Sequence, residues 1–74
     1  MKFKEGDYII YDSYCYKILS RIIVKPYKRL LYDIALSDGY CLKRITNEGF
    51  KPATKKEIQK YKQEQIEEQI WLLK

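Results

Sequence analysis

Apolar and polar positions alternate most clearly between residues 30 and 36. Leu30, Tyr32, Ile34 and Leu36 fall on one side of an extended chain, and Leu31, Asp33, Ala35 and Ser37 on the other. Upstream, residues 14–24 offer a matching apolar face in Tyr16, Ile18, Ile22 and Val24, with a bend near Ser20. Asp7–Tyr11 reads as a strand that is apolar on both sides, so its inward residues stay open. Tyr40–Ile45 and a short stretch at Phe50–Lys51 complete five strands. Gly6, Gly39 and Gly49 lie in the turns between them, where the chain can reverse at low steric cost. Five short antiparallel strands predict a small closed or nearly closed barrel, which leaves few edges free.

After Pro52 the period changes to that of a helix. Thr54-x-x-Glu57 has the form of a capping box, and Ala53 and Ile58 stand at the positions of a hydrophobic staple. Ile58, Tyr61, Ile66, Ile70, Leu72 and Leu73 gather on about half the circumference, a face expected to lie on the barrel. A helix from Lys55 to Leu73 would be about 28 Å long. The chain therefore reads as one domain, a barrel over 1–53 with a packed helix over 54–74. Trp71 points away from the apolar face, which predicts that a second chain or a partner covers it.

Between strands two and three sits the run Lys25, Pro26, Tyr27, Lys28, Arg29. Pro26 suits the second position of a type I turn, so a hairpin accounts for the run's existence. It does not account for an aromatic among cations at a loop tip. Lys25, Tyr27, Lys28 and Arg29, together with Trp71, are the expected partner-binding residues.

Composition narrows the chemistry. The 74 residues hold 15 Lys and Arg against 10 Asp and Glu, a net charge of +5, with no histidine and two cysteines. Without histidine, a general base near neutral pH would need a strongly perturbed carboxylate, lysine or cysteine, so no enzyme activity is expected. Aspartates at 7, 12, 33 and 38 flank predicted strands, where they more often form turns than catalyse. Two cysteines cannot supply a four-ligand zinc site, and no cofactor is implied. The opening residues lack the apolar segment of a signal peptide and no run is long enough to span a membrane, so a cytoplasmic location is expected. Cys15 and Cys41 begin strands two and four, which strand three separates, and are expected to be free thiols.

A second binding pattern is present. Aromatic platforms between cations hold single-stranded nucleic acid, and Tyr14, Lys17, Tyr40, Lys43 and Arg44 have that composition. Core packing and ordinary solvated lysines explain the same residues at least as well. The helix carries Lys55, Lys56, Lys60 and Lys62 early and Glu64, Glu67 and Glu68 late, against the macrodipole. Two antiparallel copies would pair these charges, which leaves a homodimer through the helix open.

"FKEGDYIIY" followed by "YCYKILSRI" resembles the opening of SH3-like small β-barrels of the KOW and Tudor type. "FKPATKKEI" resembles the closing segment of short proteins of phages and low-GC bacteria, and the abundance of Ile, Lys and Tyr fits AT-rich coding. The resemblance implies an SH3-like barrel and a phage or mobile-element habitat. Small proteins of that kind commonly bind a host protein or ribonucleoprotein complex, and some act as inhibitors of bacterial defence systems such as CRISPR. The alternative is a KOW-like module that binds RNA or DNA directly.

Overall fold

Five strands and one helix follow the expected order: β1 (Tyr8–Tyr11), β2 (Tyr14–Val24), β3 (Arg29–Ala35), β4 (Cys41–Ile45), β5 (Lys51–Pro52) and α1 (Lys55–Leu72). The computed structural model describes the backbone of residues 3–72 and the side chains of residues 3–67. All pairings are antiparallel, in the order β4-β3-β2-β1-β5. The sheet is not closed, in contrast to the expected barrel. β5 is two residues long and ends on Pro52, which has no N–H to donate, so it cannot zip onto β4.

One face of the sheet holds the main core. Ile9, Tyr16, Ile18, Tyr32 and Ile34 are buried there, which fixes the inward residue of β1 as Ile9. Each fully buried isoleucine contributes about 1.5–3 kcal/mol. No second sheet covers this face. Phe3 and Phe50, both outside the strands, lie on it instead. The Phe50 ring sits 5.7 Å from Phe3, 5.5 Å from Tyr11 and 5.5 Å from Tyr32, at edge-on or tilted angles. The Tyr32 hydroxyl is buried with no hydrogen-bond partner among the described residues, a cost of about 1–3 kcal/mol that the packing of its ring has to offset.

The helix packs on the opposite face. Thr54 and Glu57 form the capping box, with the Thr54 N–H donating to Glu57 Oε1 (2.9 Å) and the Glu57 N–H to Thr54 Oγ1 (3.3 Å). One turn later, buried Tyr61 stacks edge-on against Tyr8 at 5.1 Å and donates its hydroxyl to the Ala35 carbonyl (2.7 Å). Ser37 Oγ donates to the Glu64 carboxylate (2.9 Å) at the end of β3. Ile66 is 58% exposed rather than packed, because it stands five residues from buried Tyr61, about 140° round the helix. The side chains of Glu68, Ile70, Trp71, Leu72 and Leu73 lie outside the described residues, and with them the expectations for Trp71 and for a helix-mediated homodimer.

The bend expected near Ser20 is a β-bulge. Ile18 pairs with Ile34, but Ser20 pairs with Asp33, Arg21 with Tyr32, and Ile23 with Leu30. Leu19 is the extra residue, and it reverses the alternation beyond it. Arg21 and Ile23 therefore share a face with Tyr32 and Leu30. Ile22 and Val24, expected in the core beside Ile18, turn to the other face and are 36% and 42% exposed. A second irregularity lies across β3, where Tyr32 pairs with Ile45 and Ile34 with Leu42. Arg44 takes up its slack with φ at +56°.

Asp33 joins the two irregularities. It sits inside β3 rather than flanking a strand end, the position expected of it. Its Oδ2 accepts from Ser20 Oγ (3.1 Å) and its Oδ1 from the Arg44 N–H (2.9 Å). Asp33→Ala is expected to lower stability by about 1–3 kcal/mol in urea denaturation, the usual worth of charge-assisted hydrogen bonds. A loss under about 0.5 kcal/mol would show that the bulges hold without the carboxylate.

Burial pushes the Tyr61 phenol up to about 12, with Tyr8 and Cys15 adding to the shift. A folded pKa raised above the ordinary value of 10.0 stabilises the fold fully below pH 10, and this contribution is lost as pH rises toward about 12. Denaturation midpoints measured from pH 8 to pH 12 should fall less steeply for Tyr61→Phe than for the parent chain. Equal slopes would place the alkaline sensitivity elsewhere.

Candidate functional site

β2 and β3 outrun their neighbours. β1 pairs with β2 only over Tyr14–Lys17, and β4 reaches β3 only as far as Tyr32. Beyond these limits the two strands continue as a two-stranded ribbon, from Ile22 opposite Leu31 to Val24 opposite Arg29, with Arg21 at its base opposite Tyr32. Lys25–Lys28 close its tip. The Lys25–Pro26 peptide is cis. Tyr27 projects from the tip and is 90% exposed.

The ribbon has an uneven composition. Residues 19–31 contain four cations, Arg21, Lys25, Lys28 and Arg29, and no acid, while the rest of the chain holds eleven cations against ten acids. Ile22, Ile23 and Val24 are also exposed, on both faces of the ribbon. On the core-side face, Arg21, Ile23, Lys28 and Leu30 surround a groove of about 240 Å³. Arg21 is partly anchored, its Nη1 donating to the Phe3 carbonyl (3.2 Å). On the β4 side, Lys28, Arg29 and Leu30 face Thr46, Asn47 and Glu48 across a hollow of about 330 Å³.

The expected tip residues Lys25, Tyr27, Lys28 and Arg29 are thus gathered in one place. The second set is not. Tyr14 and Tyr40 are exposed, and Tyr14 begins the eleven-residue β2, roughly 30 Å from the tip at the rise of an extended strand. Tyr11 lies edge-on to Tyr16 at 6.0 Å, and the Tyr16 phenol is pushed up first by burial, then by Asp12 and by Tyr40, Tyr11 and Tyr14. An acidic neighbour suits a polyanion poorly. Lys17 lies on the helix side, its Nζ 5.9 Å from the centre of the Tyr8 ring. Lys43 and Arg44 are exposed on edge strand β4. Arg21, Ile23 and Leu30 did not stand out as site residues, because the parity change at Leu19 that brings them together leaves no mark in the hydrophobic pattern.

A cleft of about 300 Å³ separates α1 from the β1–β2 turn and includes Ser13, Cys15, Ser37, Glu57, Tyr61 and Glu64. Burial pushes the Cys15 thiol up, and the Glu57 and Glu64 carboxylates add to it. Cys41 is exposed, and both thiols are free, with β3 between their strands. Asp7 and Asp38 form turns, accepting from the Lys4 and Tyr40 N–H groups. No helix among the described residues is long and apolar enough to cross a membrane. No protein-family model, curated protein or solved structure matches the chain.

The thiolate is the reactive form of cysteine, so a raised pKa and partial burial both slow Cys15. Iodoacetamide at pH 8 should label Cys41 several-fold faster than Cys15, as followed by peptide mass spectrometry. Equal rates would mean that the cleft does not shield Cys15.

Proposed function

We propose that this chain is a non-catalytic binding protein whose β2–β3 ribbon holds an acidic surface of a partner protein or protein–nucleic-acid complex. The observation that supports this is the segregation of four cations and no acid onto a ribbon that also exposes Ile22, Ile23 and Val24. Each large aliphatic side chain left in water forgoes up to roughly 1.5–3 kcal/mol that a partner could recover. A two-stranded ribbon is also marginal by itself. A protein surface can cover the aliphatics and neutralise the cations together. The resemblance of the sequence to phage and mobile-element proteins supports a host complex as the partner and inhibition of a defence system such as CRISPR as the outcome.

A second reading, direct binding of RNA or DNA, is favoured by one feature. Tyr27 stands fully out beside Lys25, Lys28 and Arg29, a combination that can stack on a base and meet phosphates. The Tyr27→Ala, Lys28→Ala, Arg29→Ala triple variant should keep its melting temperature, since exposed turn residues usually change stability by less than about 0.5 kcal/mol. Affinity capture from bacterial lysate should lose a specific partner with this variant and retain it after nuclease treatment of the parent chain. Loss on nuclease treatment, with a gel shift of single-stranded RNA at physiological salt, would favour the second reading. A triple variant that captures the same partner as the parent would remove the ribbon tip from the site.

A further inference from the structure

Resting on the ribbon as the partner surface, we infer that its core-side groove takes an extended acidic peptide of the form acid-x-apolar-x-acid. Arg21, then the facing pair Ile23 and Leu30, then Lys28 succeed one another along this face. Arg21 and Ile23 are alternate residues of one strand, as Leu30 and Lys28 are of the returning chain. Alternate residues of an extended chain stand about 6.6 Å apart, which sets Arg21 from the apolar floor, and Lys28, in the turn at the tip, supplies the cation at the far end of the same groove. An extended ligand directs its own alternate side chains to one side at the same interval. Acids at positions i and i+4 then meet Arg21 and Lys28, while an aliphatic group at i+2 covers Ile23 and Leu30.

The features of the ribbon select this occupant over two others. A second copy of the ribbon would bring four more cations against the first four. A nucleic-acid backbone would answer the cations but leave the floor of the groove, with Ile23 58% exposed, without an apolar partner. The Lys28 backbone, at φ +52°, turns the chain back at the tip and directs this residue to the groove that Arg21 enters from the other end. Asp33, the next acid in sequence after the ribbon, has both carboxylate oxygens engaged by Ser20 and Arg44, and Glu48 faces Lys28 and Arg29 from the β4 side rather than from the groove.

The test is an NMR titration of the isotope-labelled full chain with acetylated Ser-Glu-Ser-Leu-Ser-Glu-Ser. Three comparison ligands are a peptide with Ser in place of Leu, one of the same composition with the two Glu and the Leu adjacent, and a twelve-nucleotide thymidine strand. Amide shifts should concentrate between Arg21 and Leu30, with the spaced peptide binding at least fivefold more tightly than either comparison peptide. Lys28→Glu and Ile23→Thr should each weaken it at least fivefold, and raised salt should weaken it in the unaltered chain. Equal binding of all three peptides would show charge attraction alone and overturn the inference, as would tighter binding of the oligonucleotide. If the spacing has no effect yet the tip variant still loses its cellular partner, the inference falls and the ribbon remains the binding surface. If the tip variant keeps that partner, both fall.

Discussion

The carboxylate of Asp33 holds the shape on which the rest of this sheet depends. It reaches sideways from β3 in both directions, to Ser20 on β2 and to the Arg44 amide on β4. Each partner lies beside an interruption in the ladder. A bulge bends a strand and strengthens its twist, and two bulges at one level bend three adjacent strands together. Below that level the sheet forms its core around Ile9, Ile18 and Ile34, and Tyr32 closes the core just above it. Above it, β2 and β3 leave as a ribbon. Were the strand regular through Leu19, without the bulge, Ile22 and Val24 would have continued the buried face of Ile18, and Arg21 would have faced the opposite way.

A small chain has to economise on layers, and the aromatic residues show how. The helix covers one face of the sheet, and among the described residues there is no second helix for the other. Phe3 arrives from the segment before β1 and Phe50 from the turn before β5, and their rings meet over the exposed side of Ile9 and Tyr32. Two rings bury as much as several aliphatic side chains and tolerate irregular backbone at either end. The turn that delivers Phe50 depends on Gly49, whose φ of +82° an L side chain would resist. The open sheet is thus closed by side chains rather than by strand pairing.

Local rules carried much of this architecture in the sequence. The alternation from Leu30 to Leu36, the glycine turns and the Thr54–Glu57 box each depend on a few neighbouring residues, and each has its physical counterpart in the fold. The bend near Ser20 was legible too. Its consequence was not, because one extra residue shifts the parity of everything beyond it while leaving composition unchanged. Ile22 and Val24 look identical in the sequence whether they face a core or water. Closure of the barrel was illegible for a similar reason: it depends on whether two distant edges meet, and Pro52 at the end of β5 works against that. Ile66 belongs to the apolar half of the helix but stands about 140° round the axis from Tyr61, and the pattern cannot say how much of that half the sheet covers.

The site was half legible, and charge explains which half. A net charge of +5 over the whole chain is modest, and a sum carries no position. The hairpin tip could be read because its cations are adjacent in sequence. Arg21 belongs with them only through the fold, which sets it on the same face as Lys28 across the ribbon. Outside residues 19–31, eleven cations are nearly balanced by ten acids, so almost the whole excess is concentrated on a projection with no acid of its own. Charges on such a projection act on a partner before the body of the molecule arrives, within a screening length of about 8–10 Å. The aliphatic residues between them act only on contact. On the proposed reading, attraction at a distance and apolar burial at contact draw on the same thirteen residues, and a partner that satisfies only one of them would leave the other without effect.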